Sequence, residues 1–168
     1  MQRRTFFKLG IASAAALAVA GGAASWIQGG WQAGRLTPAG REVFRAVGRA
    51  ILDASLPTEA PARQTALDGL LARIDTLVGA LPPHAQDELS QLLALLASAP
   101  GRYLMTGLNQ PWPAASADSI QQALQGMRVS GLALRQQAYA ALHDLTAAAY
   151  FSEPSTWALL GYPGPTKI

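Results

Sequence analysis

The sequence predicts an all-α protein, a small irregular bundle of about five helices after an N-terminal signal helix, closed by an extended tail rich in proline and aromatic residues. Three observations predict it. From Leu36 onward the apolar residues recur at three- and four-residue spacing, Pro and Gly punctuate that pattern at helix length, and no run of β-branched residues alternates with polar ones. The 168 residues are half hydrophobic and 14% charged, enough for a leader and one modest domain, residues 1–30 and 31–168 respectively.

The leader is read from charge. Met1 to Lys8 carries Arg3, Arg4 and Lys8, and no charged residue follows from Leu9 to Gly34. That is a basic n-region before an apolar h-region. The h-region is mostly Ala and Gly, milder than a typical spanning helix, and Gln2-Arg3-Arg4-Thr5-Phe6-Phe7-Lys8 resembles the twin-arginine (Tat) export consensus. Arg3, Arg4, Phe6 and Lys8 are in register with it, while Gln2 and Phe7 depart from its usual Ser/Thr and Leu. Ala18-Val19-Ala20 offers a cleavage site before Gly21, with Ala23-Ala24-Ser25 as a second. Leu9 to Ile27 is also close to the roughly 20 apolar residues that span a bilayer, so an uncleaved anchor stays open. Without cysteine, a lipoprotein is excluded.

The helices follow in order. Thr37-Pro38 reads as an N-cap with proline in the first turn, after which Val43, Phe44, Val47, Ile51 and Leu52 share a face up to Leu56-Pro57. A loop through Pro61 leads to a second helix carrying Leu67, Leu70, Leu71, Ile74, Leu77, Val78 and Leu81, ended by Pro82-Pro83. A third, from about His84 to Ser98, is stopped by Pro100-Gly101. Residues 101–116 read as a loop with an apolar filling that includes Tyr103, Met105, Leu108 and Trp112. Ser116 or Asp118 caps a fourth helix ending near Gly131, and a fifth runs from about Leu132 to Phe151. Ser155 to Leu160 forms a short last turn capped by Gly161.

Charge and composition exclude several functions. Arg3, Arg4 and Lys8 supply the whole surplus of +3, and beyond the leader ten Lys+Arg face ten Asp+Glu. That balance offers no field for nucleic acid. The lack of cysteine excludes disulfides, thiolate zinc sites, iron–sulfur clusters and cysteine-attached haem. His84 and His143 have no second His at helical ligand spacing, and Asp87-Glu88 suits the first turn of a helix. Met105 and Met127 read as core filling ahead of haem ligation. No nucleophile with its base, metal cluster or phosphate-binding loop is found, so the expectation is no catalytic, cofactor or metal residue in this chain.

The C-terminal segment differs. Residues 150–168 hold Tyr150, Phe151, Trp157 and Tyr162 among Pro154, Pro163 and Pro165, with Gly161 and Gly164. Stiff chain loses little entropy on docking, so these aromatics suit anchoring a partner. The other reading, in which Tyr150, Phe151 and Trp157 fold back to close the bundle, stays open.

Here the sequence meets a family. Trp157-x-x-Leu160-Gly161-Tyr162-Pro163-Gly164-Pro165, preceded by Tyr150-Phe151 and Pro154, resembles the C-terminal signature of the gluconate 2-dehydrogenase small-subunit family (subunit 3). Leu36-Thr37-Pro38 opening a helix that ends at Leu56-Pro57, and the Tat-like leader, are similar to the family as well. The resemblance implies a non-catalytic subunit of a periplasmic, inner-membrane-associated dehydrogenase complex. Its large subunit, of the glucose/methanol/choline (GMC) oxidoreductase family, would hold FAD, and a multihaem cytochrome c commonly accepts the electrons. A cofactor-free chain then carries the Tat signal for its folded, flavin-loaded partner. The residues expected to bind that partner are Trp112, Tyr150, Phe151, Trp157, Gly161, Tyr162, Pro163, Gly164 and Pro165. The alternative is a stand-alone Tat-exported periplasmic binding or stress protein.

Overall fold

A computed structural model describes residues 29–162. Among them six α-helices pack round one core, preceded by a two-strand hairpin of β1 (Trp31–Gln32) and β2 (Arg35–Leu36). The hairpin is antiparallel, pairing Trp31 with Leu36 and Gln32 with Arg35. It turns through Ala33 (φ 50°) and Gly34 (φ 77°), the two positive φ values that a tight I′ loop demands. Strands were not expected from the sequence, because two residues per strand leave no alternation to detect.

Helix α1 (Pro38–Ile51) starts as its sequence suggests: the Thr37 hydroxyl accepts from the Gly40 amide and Pro38 lies in the first turn. A 3-10 turn, Asp53–Ser55, carries the chain to Leu56. α2 (Ala60–Gly79) begins earlier than expected, with Pro61 inside its first turn, where a missing N–H costs no intrahelical bond. α3 (Pro83–Ala97) likewise admits Pro83 at its start.

The stretch read as a loop from residue 101 contains a further helix, α4 (Ala99–Thr106). Pro100 and Gly101, which read as stops, follow the end of α3 at Ala97 and also open α4. Ser98 caps α4 by accepting from the Gly101 amide at 3.1 Å, and Gly107 (φ 79°) ends it in the left-handed conformation. Proline stops a helix only when it falls inside one; in a first turn it permits a new start in a new direction. α5 (Ala117–Arg128) is capped by Ser116 rather than Asp118. α6 (Ala133–Phe151) leads to a 3-10 helix, Pro154–Leu160, ended by Gly161 at φ 66°.

α1 lies at the centre, packed against α2, α3, α5 and α6, while α2 also packs on α6. Phe44, Val43 and Val47 from α1 meet Leu70 and Ile74 from α2, Leu93 and Leu96 from α3, Ile120 and Met127 from α5, and Leu142 from α6, all fully buried or nearly so. Burying each such side chain contributes about 1.5–3 kcal/mol. The arginines of α1 reach the acids of α2: Arg45 pairs with Asp68 at 2.6 Å and Arg41 with Asp75 at 3.5 Å. The Arg45 guanidinium holds the Asp68 carboxyl below its ordinary value. Because that pair is largely solvated, its contribution is about 0–1 kcal/mol.

Two glycines test the packing in opposite directions. A Cβ on Gly101 would stand 2.1 Å from the Leu95 carbonyl oxygen, whereas one on Gly126 in α5 would meet nothing within 4 Å. Gly101→Ala should therefore destabilise by at least the ~1–3 kcal/mol of overpacking, and Gly126→Ala should stabilise by about 0.5–1 kcal/mol. Thr146 is fully buried and its hydroxyl has no partner, so Thr146→Val is expected to gain about 1 kcal/mol. Urea midpoints of the three variants check all three signs.

Candidate partner-docking surface

The C-terminal segment is built from α6 outward. α6 ends at Phe151, and the exposed carbonyls of its last turn are met by side chains from elsewhere. Arg73 on α2 donates from Nε to the Ala149 carbonyl at 2.6 Å, and its Nη1 lies 3.7 Å from the Glu153 carboxylate. A cation at a helix C-terminus is favoured by the dipole as well as by the hydrogen bond. Tyr150 donates its hydroxyl to the Ser55 carbonyl at 2.6 Å, crossing from α6 to the turn after α1. Its ring meets Phe151 edge-on at 5.2 Å.

The 3-10 helix is held against this base. Thr156, itself buried, donates to the Glu153 carbonyl at 2.7 Å and lies 3.3 Å from that of Tyr150. Trp157 donates its indole N–H to the Phe151 carbonyl at 2.8 Å. Beyond it, the Tyr162 ring leans on Trp157 with centroids 5.4 Å apart, and Tyr162 remains 49% exposed. The result is a half-buried indole under an exposed tyrosine, on a backbone fixed at several carbonyls. Aromatic surface presented in this way loses little freedom when covered.

The sequence-selected residues divide. Trp157, Gly161 and Tyr162 come together at the surface, with Phe151 half-buried beneath. Tyr150 is 4% exposed and belongs to the core, its hydroxyl already engaged. Trp112 is 2% exposed and donates to the Leu96 carbonyl at 2.8 Å. Both rings are buried in the core. Arg3, Arg4, Phe6, Lys8, Pro163, Gly164 and Pro165 lie outside the described residues. Arg73 was missed, because nothing local marks a mid-helix arginine as the cap of a helix far along the chain.

The clefts are small and their chemistry is thin. One of about 210 Å³ is lined by Ala50, Ile51, Gln121, Leu124, Gln125, Tyr139 and His143. His143 stacks on Tyr139 at 5.4 Å, and its Nδ1 lies 3.0 Å from the Asp144 carboxylate. His84 is exposed on α3. Among the described residues no group of three or more His, Asp or Glu side chains is placed to hold a metal, and no helix is long and apolar enough to cross a membrane. The sequence matches no protein-family model, and comparisons with curated proteins and with solved structures find no similar chain.

The Tyr150 contact has a pH signature. Burial raises the phenol above its ordinary value of 10.0, against a smaller opposing effect of Arg73. A raised folded-state value means stability that is complete below the unfolded value and is lost as pH climbs through the folded one. Tyr150→Phe should cost about 0.5–1.5 kcal/mol at neutral pH and should flatten the loss of stability above pH 10, both read from urea unfolding across a pH series.

Proposed function

We propose that this chain is the non-catalytic small subunit of a periplasmic FAD-dependent dehydrogenase complex of the GMC type. It supplies the Tat signal and escorts the flavoprotein subunit, which oxidises an alcohol or sugar; a multihaem cytochrome c takes the electrons. The observation that carries the reading is the C-terminal segment. Its sequence resembles the small-subunit signature, and its described part pairs Trp157 with Tyr162 at the surface, on a base clamped by Arg73 and Tyr150. Rigid, partly buried aromatics are the side chains that concentrate binding energy at interfaces. The division of labour is consistent with the poverty of reactive clusters: binding is left to this chain, while flavin and substrate pocket belong to the larger one.

In this scheme Arg3 and Arg4 address the translocon, and the complex remains at the periplasmic side of the inner membrane. The segment from Trp157 to Pro165 grips the flavoprotein before export, so a single signal moves two folded chains.

Two measurements test it. With Arg3→Lys and Arg4→Lys together, the flavin dehydrogenase activity is expected to stay in the cytoplasmic fraction; a partner that still reaches the periplasm overturns the escort role. A tagged full-length chain should co-purify with a flavoprotein several times its mass, and Trp157→Ala with Tyr162→Ala should weaken that capture by on the order of a thousandfold, as loss of interface anchors worth about 2 kcal/mol each implies. A tagged chain that brings down no flavoprotein favours the stand-alone periplasmic protein.

A further inference from the structure

The end of the bundle away from the C-terminal segment has a different character. α6, 19 residues long, separates the two ends by about 28 Å. Around its start four large apolar side chains stand in solvent: Tyr103 and Leu104 on α4 are 59% and 64% exposed, and Val129 and Leu132 in the α5–α6 turn are 66% and 60% exposed. Arg135, in the first turn of α6, donates to the Leu104 carbonyl and so ties the end of α4 to the start of α6. Single exposed leucines are ordinary, but four such residues on elements tied together form a patch that calls for an occupant.

The stretches of sequence that carry the patch hold charge of one sign near it. The sequence has no Asp or Glu between Glu88 and Asp118, and none between Asp118 and Asp144, while Arg102, Arg128 and Arg135 fall in those stretches. Asp118 opens α5 at the end remote from Arg128, and Asp144 lies past the middle of α6. Arg102 and Arg135 direct hydrogen bonds to the carbonyls of Ala97, Asn109 and Leu104, so no carboxylate neutralises them there. Arg128 is exposed. The described chain starts on α3, the helix that leads into α4, where Gly30 donates to the Ser90 carbonyl. It is preceded by the uncharged stretch of near-bilayer length.

We propose that this end of the bundle rests on an anionic phospholipid surface. Leu104, Val129 and Leu132 enter the boundary between headgroups and acyl chains, Tyr103 sits at headgroup level, and Arg128 and Arg135 face lipid phosphates. A lipid surface is favoured over an acidic protein because an uncharged stretch of near-bilayer length precedes the described residues in the sequence. The inference stands apart from the subunit reading, since it uses the opposite end of the molecule and needs no flavoprotein.

Hydrogen exchange of the full-length chain, without any partner, locates the contact. Vesicles of phosphatidylglycerol mixed with phosphatidylcholine should protect residues 102–106 and 128–135, and vesicles of phosphatidylcholine alone should not. Leu104→Ser with Leu132→Ser should lower that protection's apparent affinity about tenfold, the scale expected when two partly buried leucines are lost, and Arg128→Glu should weaken it in a way that high salt imitates in the parent chain. Arg128 is exposed at the end of a helix, so its substitution carries the test if the leucine pair fails to fold. Unchanged exchange at these residues, equal protection by uncharged vesicles, or protection that rises with protein concentration alone and so reports a second copy, overturns the proposal.

Discussion

The structure depends on the burial of α1 from nearly every side. Half of its fourteen residues are buried, and four of those are Gly40, Ala46, Gly48 and Ala50 rather than large side chains. A central helix must be thin for its neighbours to reach one another. A Cβ on Gly40 would stand 2.3 Å from the Gly30 carbonyl oxygen, and one on Gly48 would stand 2.7 Å from Leu70. The hairpin and α2 approach so closely because those positions carry hydrogen. Besides the exposed Glu42, α1 carries a stripe of arginines at helical spacing, and each has a partner: Arg41 in Asp75, Arg45 in Asp68, and Arg49 in the carbonyls of Trp112 and Ala115. Their stems cover apolar surface while their heads reach carboxylates or backbone.

The same use of arginine against free carbonyls recurs where helices end. Arg73 meets the last turn of α6, and Arg102, though 5% exposed, points at the carbonyls of Ala97 and Asn109. Helix C-termini leave carbonyls without intrahelical donors, and a bundle with short connections buries several of them. Guanidinium groups, with five donors in a fixed fork, satisfy more than one such acceptor at once. This is why few of the described arginines are free to act on anything outside the fold, the exposed Arg35 and Arg128 being the exceptions.

These constraints give the bundle two unlike ends. At one, the C-terminal segment is folded onto α6 and the turn after α1, and its outermost aromatics face solvent. At the other, α4 and the α5–α6 turn present apolar side chains among arginines with no carboxylate near them in the sequence. The subunit and membrane proposals each assign one of these ends.

What the sequence determined by itself was the helical class, the cap at Thr37, the core positions along α1 and most of those along α2, and the αL ending at Gly161. These are local: a hydroxyl three residues from an amide, or an apolar residue every third or fourth position, acts through backbone geometry a few ångströms away. The sequence also singled out the C-terminal aromatics as special, but it left open which of them face inward. Only the tertiary structure sent Tyr150 and Trp112 into the core and left Trp157 and Tyr162 at the rim, because that choice turns on the Ser55 and Leu96 carbonyls, distant in sequence from the rings they receive. The same holds for α4, hidden behind a proline whose role depends on the direction of the chain after it, and for Arg73, whose target lies 76 residues away. Short-range rules are written in the order of residues; which carbonyl needs a donor, and which ring has space beneath it, is settled when the helices meet.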